Sequence, residues 1–299
     1  MNLCTLCPRA CRVDRSAGQQ GFCRSGELPR VARSELHFWE EPCISGKRGS
    51  GAVFFTGCNL RCSFCQNAVI SRDGERGQLC TPRQLAGLFL KLQEKGAHNI
   101  NLVTGSHYWP KIIEALEIAK AEGLSLPVVW NCGGYETAEA IDALAPYVSV
   151  WLPDDKFFSP ALAKEVCAAG DYPEVCGRAI EKMVACQPEP CFDADGMMTK
   201  GVIVRHLPLP SKLFDSKKII DSLHSRFGDQ IWLSLLNQYT PMESCPIAWL
   251  RRPLPAGHYD ALVNHCIDLG MTQVYVQEAS ACGEEFIPRF YDLLPDSSV

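Results

Sequence analysis

The sequence predicts an α/β fold built on a full or partial parallel (β/α) barrel, preceded by an irregular cysteine-rich N-terminal module. From residue 51 to residue 276, short apolar strand-like segments alternate with amphipathic helix-like segments. Such alternation is typical of parallel strands joined by right-handed crossovers. Residues 1–50 show little periodicity and carry a cluster of cysteines. A doubly wound open sheet is the alternative architecture.

The strand candidates are short, apolar and often β-branched, as expected of strands buried on both faces. They cover residues 52–55, 99–103, 126–130, 148–152, 202–206, 231–236 and 273–276. Between them, apolar residues recur at the helical spacing i, i+3, i+4 and i+7, first at Leu85, Leu88, Phe89 and Leu92. Further helices are predicted over residues 109–116, 137–144, 173–183, 219–227 and 262–267.

The 299 residues divide into two predicted units, a metal-binding module over residues 1–50 and a barrel domain over residues 51–299. Hydrophobic residues make up 46% of the chain and charged residues 21%, which is ordinary for a globular protein with a large core. The net charge of −5 argues against a nucleic-acid-binding surface. The chain has no run of about 18 apolar residues and does not start with a signal-peptide pattern, so we expect no membrane association and a cytoplasmic location.

Three cysteines, Cys58, Cys62 and Cys65, follow the first predicted strand with the spacing C-x3-C-x2-C. Three thiols so close together cannot all pair as disulfides, and they suit a metal or an iron–sulfur cluster. Three ligands to a four-iron cluster leave one iron open to a substrate or cofactor. The alternative is a structural zinc site, but neither Cys43 nor Cys80 stands at a typical zinc-finger spacing for a fourth ligand.

A second group, Cys4, Cys7, Cys11 and Cys23, supplies four ligands and leaves no open position. Two interpretations compete, a structural zinc or closed iron–sulfur site, and an auxiliary 4Fe–4S cluster. Under either, we expect all four thiolates to bind one metal centre. The remaining cysteines are mostly isolated, and an isolated cysteine is usually a small buried hydrophobe.

Polar residues recur after the predicted strands, where the active site of an α/β barrel lies. The candidates are Thr104, Ser106, His107, Asn131, Asp154, Asp155, Lys156, Arg205, His206 and the segment 277–280. A rigid scaffold would bring these side chains to one face, so we expect them to form a ligand-binding site with the cysteine loop.

The cysteine loop, the strand before it and Phe64 resemble the radical S-adenosylmethionine (radical SAM) superfamily. The resemblance implies that Cys58, Cys62 and Cys65 hold a 4Fe–4S cluster and that S-adenosylmethionine chelates the fourth iron. One electron, from a low-potential donor such as flavodoxin or ferredoxin, would cleave a carbon–sulfur bond. The resulting 5′-deoxyadenosyl radical would take a hydrogen atom from the substrate, and Phe64 would lie against the adenine.

More narrowly, the chain resembles pyruvate formate-lyase activating enzymes. The stretches that carry this are residues 7–11, 37–42, 65–67, 99–104, 152–156 and 204–207. The resemblance implies a glycyl-radical enzyme as the target. Modification of a small metabolite or a peptide is one alternative, and a non-catalytic zinc-binding interaction protein is another.

One departure concerns the methionine amino group. Activating enzymes usually bind it with Gly-Gly-Glu after the second strand, whereas this chain has Thr104-Gly105-Ser106-His107 and no acid. Thr104 or Ser106 is the candidate replacement. Further cofactor contacts are expected from Asn131, Asp154, Lys156 and Arg205, the last because arginine is a fixed fork donor.

Overall fold

The computed structural model describes residues 3–277, in which ten strands form one continuous sheet. The strands are β1 Arg30–His37, β2 Ser50–Phe55, β3 Gln78–Leu79, β4 Ile100–Val103, β5 Val128–Cys132, β6 Val150–Pro153, β7 Cys191–Phe192, β8 Met198–His206, β9 Trp232–Leu235 and β10 Val274–Val276. The helices are α1 Pro42–Ser45, α2 Ala68–Ser71, α3 Pro82–Glu94, α4 Trp109–Ala121, α5 Ala138–Leu144, α6 Pro160–Cys167, α7 Tyr172–Cys186, α8 Leu213–Phe227 and α9 His258–Asp268. Two 3-10 helices cover Gly228–Gln230 and Ala248–Arg251.

Strands β2, β4, β5, β6, β8, β9 and β10 are parallel and lie side by side in chain order. A doubly wound sheet would reverse that order at a switch point. The barrel architecture is therefore confirmed over the doubly wound alternative, and each of the seven predicted strands forms. Across residues 3–277 the sheet runs from β10 at one edge to β3 at the other without closing, so the barrel is partial.

Alternation along each strand divides the side chains between two faces of the sheet. Trp130 and Trp151 are fully buried in the large apolar cluster to which the long helices also contribute. A second cluster contains Val129 and Ile203. Asn131 lies two residues beyond Val129 on β5, and Arg205 lies two residues beyond Ile203 on β8. Both side chains therefore project to the same face as this second cluster, which is the inside of the barrel.

Strand β1 was not predicted, because residues 30–37 lie within a segment whose sequence shows little periodicity. It runs antiparallel to β2, with His37 opposite Ser50. Since β1 ends beside the start of β2, the chain arrives at the end of the barrel opposite to the cysteine loop. There α1 closes the barrel, and its Cys43 and Ile44 pack in the second apolar cluster with Val129, Val150, Leu152, Met198 and Ile203.

Capping residues set the starts of several helices. Thr137 accepts a hydrogen bond from the Ala140 amide at 3.2 Å, which confirms the predicted cap of α5. Helix α6 was not predicted, and it begins at Ser159, whose hydroxyl accepts from the Leu162 amide. Within residues 3–277, none of these helices is long and apolar enough to cross a membrane.

Candidate active site

A cavity of about 230 Å³ extends from the cysteine loop into the barrel. Its lining includes Cys58, Cys62, Cys65, Phe64, Thr104, Asn131, Asp154, Lys156 and Arg205. With one exception, the residues predicted to bind the cluster and cofactor therefore meet at one place, whereas the further strand-end candidates His107, Asp155 and His206 do not line the cavity. The exception is Ser106, which is fully buried away from the cavity and donates a hydrogen bond to Glu136. The predicted segment 277–280 lies outside the described residues beyond Gln277.

The cysteine loop starts directly after β2 and turns at Gly57, whose φ of +76° favours glycine. Cys58, Cys62 and Cys65 are free thiols. The Leu60 amide donates to Cys58 Sγ at 3.4 Å, and Cys65 Sγ lies 3.4 Å from Ser71 Oγ. Burial raises the pKa of the Cys58 and Cys65 thiols, so a nearby positive charge is needed to hold them as thiolates.

These residues fit a 4Fe–4S cluster that has one iron free for S-adenosylmethionine. The donor set is three thiols around one cavity, and the remaining lining offers both charged and aromatic groups for a second molecule. Across residues 3–277, no group of three His, Cys, Asp or Glu side chains is placed to hold a single metal ion. A fourth thiol, Cys167, interacts with Cys62, but it donates to the Ala163 carbonyl at 3.1 Å and does not line the cavity.

Arg205 links three polar groups inside the barrel. Its Nε donates to Asp154 Oδ1 at 2.8 Å, and its Nη2 donates to Asn131 Oδ1 at 2.6 Å. Its Nη1 donates to Glu40 Oε2 at 3.2 Å. The Arg205 side chain is 14% exposed, so these bonds form in a largely desolvated site, where charged pairs are strongest.

Asp154 is shared between two cations, because Lys156 Nζ also donates to its Oδ2 at 2.5 Å. Burial acts to raise the pKa of Asp154, but Arg205 and Lys156 outweigh it and hold the pKa below its usual value. Asp154 in turn raises the pKa of Lys156 against the opposing effect of burial. The site therefore contains a fixed carboxylate and two fixed cations at neutral pH.

Glu40 is the site residue that sequence reasoning did not assign. It lies between β1 and α1, is 10% exposed and lines the cavity. Its Oε1 accepts from Asn101 Nδ2 at 3.0 Å and from Asn131 Nδ2 at 3.1 Å. The available signal was the stretch of residues 37–42, in which two adjacent acids precede Pro42, but nothing in it shows that the segment enters the barrel.

Phe64 forms the aromatic side of the cavity. Its side chain is 8% exposed, and its ring centroid lies 6.3 Å from Phe157 and 6.5 Å from Tyr239. The contact with Phe157 is edge-on and the contact with Tyr239 is tilted. These neighbours hold the Phe64 ring in place beside the cysteine loop. A ligand that packs against the ring therefore does not have to order it on binding.

The N-terminal cysteines lie around a second, much smaller cavity of about 10 Å³. Cys4, Cys7, Cys11 and Cys23 all line it, together with the barrel residue His107. The four cysteines therefore lie around one cavity, and their binding of one metal centre stays a prediction.

The structure thus combines an open parallel barrel with three free cysteines after its first parallel strand. Residues 52–160 match the family model of the radical SAM superfamily. Members of the superfamily are enzymes that use a 4Fe–4S cluster and S-adenosylmethionine.

Similarity to individual proteins is weaker. The chain is 28% identical over 247 residues to an uncharacterized protein of Methanocaldococcus jannaschii, covering 80% of this chain and 66% of that relative. Streptococcus suis SuiB, solved with its precursor peptide SuiA, superposes with a TM-score of 0.52 and 11% identity over 74% of this chain and 46% of its own. The hydrogenase maturase HydG superposes with a TM-score of 0.50 and 12% identity, over 74% of this chain and 50% of its own. The chain thus spans less than two thirds of each of these proteins, and the structural matches establish the fold alone.

A domain of a pyruvate-formate lyase-activating enzyme from Bacteroides vulgatus is also similar, with a TM-score of 0.41 and 13% identity. The match covers 57% of this chain and 91% of that domain.

Proposed function

We propose that this chain binds S-adenosylmethionine in the 230 Å³ cavity, cleaves it reductively and removes a hydrogen atom from a substrate. One observation carries the proposal. The three cysteines of the loop line the same cavity as the Asp154–Lys156–Arg205 network. When bound, the cluster and S-adenosylmethionine would supply the electron and the 5′-deoxyadenosyl group that this chemistry requires.

The charges of the cavity match the methionine end of the cofactor. Arg205 and Lys156 offer cationic donors for a carboxylate, and Arg205 is held in a fixed orientation by its partners. Glu40 offers a buried carboxylate for an ammonium group, in a chain that has no acid after its second parallel strand. Phe64 provides the apolar surface for adenine. These groups bind and orient the cofactor, and the buried walls keep water from the reacting atoms.

The proposed target is a glycyl-radical enzyme. The sequence resemblance to activating enzymes supports this, and so do two exposed aromatic residues between β1 and α1. Phe38 and Trp39 are 49% and 59% exposed, and Trp39 lines the cavity. Adjacent exposed aromatic side chains at a cavity suit contact with a protein rather than with a small metabolite. The proposed electron source is a low-potential donor such as flavodoxin or ferredoxin.

Anaerobic reconstitution tests the proposed function. Protein supplied with iron and sulfide should turn brown and release 5′-deoxyadenosine when given dithionite and S-adenosylmethionine. Cys62→Ala should abolish that product, whereas the control Cys191→Ser removes an exposed thiol outside both cavities and should not change it. Colourless, zinc-loaded protein that makes no 5′-deoxyadenosine would overturn the proposal in favour of a zinc-binding interaction protein.

The choice of target needs a separate measurement. The reconstituted protein is mixed with a candidate glycyl-radical enzyme, and the glycyl radical is followed by electron paramagnetic resonance. A signal that requires both S-adenosylmethionine and Cys62 supports activation. Turnover of S-adenosylmethionine without a protein radical would favour modification of a small metabolite or a peptide.

A further inference from the structure

The second cavity collects thiols from distant parts of the N-terminal segment. Cys7 and Cys23 are buried, and Cys4 and Cys11 are half-buried. Apolar side chains of Leu6, Val13 and Phe22 complete part of the wall. Arg9 and Arg15 line the cavity as well, and cationic neighbours favour the thiolate form in which cysteine binds a metal.

The backbone around these cysteines has features that a metal would stabilise. Ala10 and Arg12 have φ values of +40° and +55°, which are unusual for residues with a Cβ. The Phe22 amide donates to Cys11 Sγ at 3.3 Å, and this kind of bond strengthens when the sulfur carries negative charge. The Ala10 amide donates to the Cys7 carbonyl at 3.0 Å and the Arg12 amide donates to the Cys4 carbonyl at 2.9 Å, so local hydrogen bonds hold the tight turns that present sulfur atoms to the cavity.

His107 gives an independent sign that the cavity takes a ligand. Its side chain is 1% exposed and lines the cavity. Its Nε2 lies 2.9 Å from the Thr56 carbonyl, which can only accept, so Nε2 carries the proton. Nδ1 is then a lone-pair nitrogen, and it is buried without a hydrogen-bond partner. A buried acceptor with no partner beside four thiols is in the position that a cation or its ligand shell would satisfy.

We propose that Cys4, Cys7, Cys11 and Cys23 bind a thiophilic metal centre, separate from the cluster at Cys58, Cys62 and Cys65. Four protein thiolates complete the coordination of a tetrahedral zinc ion or of a four-iron cluster. No three side chains of the described residues already surround one ion position, so binding would draw the four thiols closer together. In both cases the centre is closed and has no position for a substrate.

The proposed metal centre lies next to the loop that carries Cys58. A Cβ at Gly57 would lie 2.6 Å from the Cys23 carbonyl oxygen and 3.1 Å from His107 Nε2. Gly57 directly precedes Cys58, so the loop of the first cavity passes close to the Cys23 carbonyl and to His107 and leaves no room there for a side chain. Arg15 adds a further link, since its Nη1 donates to the His107 carbonyl at 2.6 Å. The proposed metal therefore fixes the segment 56–58 in place.

The proposal is tested by measuring the metal bound to the triple variant Cys58→Ala/Cys62→Ala/Cys65→Ala, purified anaerobically after growth with both zinc and iron. It should retain about one zinc ion per chain without sulfide, or about four iron atoms with equal sulfide, and these two outcomes identify the metal. Adding Cys11→Ser and Cys23→Ser should remove that metal, whereas adding Cys191→Ser should not. A folded triple variant without bound metal, or metal that survives loss of Cys11 and Cys23, would overturn the proposal.

Two further measurements use the triple variant alone, so they do not require the variants with Cys11→Ser and Cys23→Ser to fold. Alkylation should spare Cys4 and Cys11 until a chelator is added, while exposed Cys191 reacts at once. Hydrogen exchange at the Thr56 and Gly57 amides, which bond to the Arg30 and Ile70 carbonyls, should speed up at least tenfold when the metal is removed. Unchanged exchange at residues 56 and 57 would refute the link to the catalytic loop. Neither measurement requires cleavage of S-adenosylmethionine. The metal centre is therefore tested separately from the proposed function.

Discussion

The Nη1 atom of Arg205 lies 3.2 Å from Glu40 Oε2, and this ion pair joins the fifth parallel strand of the barrel to a residue that precedes the first. Glu40 also lies outside residues 52–160, which match the superfamily model. The cavity therefore depends on the segment before residue 50, because β1 returns the chain to the base of the barrel. The division between residues 50 and 51 remains a prediction, and the site crosses it.

Replacement of Glu40 by glutamine should weaken binding of S-adenosylmethionine. The glutamine side chain would still accept a hydrogen bond from Asn101 and Asn131. It would place an NH2 group or an uncharged oxygen next to Arg205, so the ion pair would be lost. A hydrogen bond to a charged group contributes about 1.5–3 kcal/mol, so we expect about tenfold to hundredfold weaker binding. Anaerobic equilibrium dialysis with labelled cofactor measures the affinity, and iron content should stay unchanged because Glu40 contacts no cysteine of the loop.

The matched control for Glu40→Gln is Glu35→Gln. Glu35 belongs to β1 in the same N-terminal segment and pairs with Arg33 at 2.5 Å, outside the residues that line the cavity. Cofactor affinity should not change in this control. Equal affinity in wild type and Glu40→Gln would show that Glu40 serves the fold alone.

Cys167→Ala should retain the iron of the loop cluster. Cys167 adjoins Cys62, but its thiol donates to Ala163 and does not line the cavity. Iron per chain after reconstitution should therefore match wild type, with about 1 kcal/mol of stability lost through the smaller buried side chain. Loss of iron as complete as in Cys62→Ala would instead identify Cys167 as a fourth ligand, which would close the site to S-adenosylmethionine.

The parallel core was predictable from sequence because each strand is buried on both faces. Strands β2, β4, β5 and β6 consist entirely of buried residues, and such strands are visible as short apolar runs. Strand β1 has two fully buried residues followed by half-buried ones, so it shows neither an apolar run nor a clean alternation. The pattern that sequence reasoning uses was absent there, and β1 was missed.

The site was predictable where a residue directly ends a strand. Asn131 continues the inward-facing side of β5, Thr104 directly follows β4, and both line the cavity. Ser106 lies only two residues beyond Thr104, but the Tyr108 amide bonds to the Gly105 carbonyl, so the chain has already turned toward α4. Glu40 could not be placed, because its position follows from the pairing of β1 with β2, which is a long-range contact.

Thr81→Ala should destabilise the fold through the start of α3. The Thr81 hydroxyl accepts from the Gln84 amide at 3.3 Å, and the Gln84 side chain accepts from the Thr81 amide at 3.0 Å. Loss of this capping box should cost about 1 kcal/mol, or about 2 °C in the thermal midpoint for a domain of this size. Thr81→Ser retains the hydroxyl and should keep most of the stability. A midpoint equal to that of wild type in Thr81→Ala would contradict the assigned cap.

Glu136 should make stability depend on pH. It is 4% exposed, and burial raises its carboxyl pKa from the usual 4.5 to about 7, although Ser106 opposes the shift. Between these two values the folded protein binds a proton that the unfolded chain has lost. Stability must therefore fall as pH rises through this window, and above pH 7 the full penalty remains.

Glu136→Gln removes this penalty, because glutamine is neutral throughout and still offers an acceptor to Ser106. The thermal midpoints of variant and wild type should be close at pH 5, and the variant should gain up to about 3 kcal/mol at pH 8. Glu139→Gln, which changes an exposed carboxylate in the first turn of α5, should give the same difference from wild type at both pH values. An advantage of Glu136→Gln that does not grow between pH 5 and pH 8 would show that the carboxyl is not protonated in the folded protein.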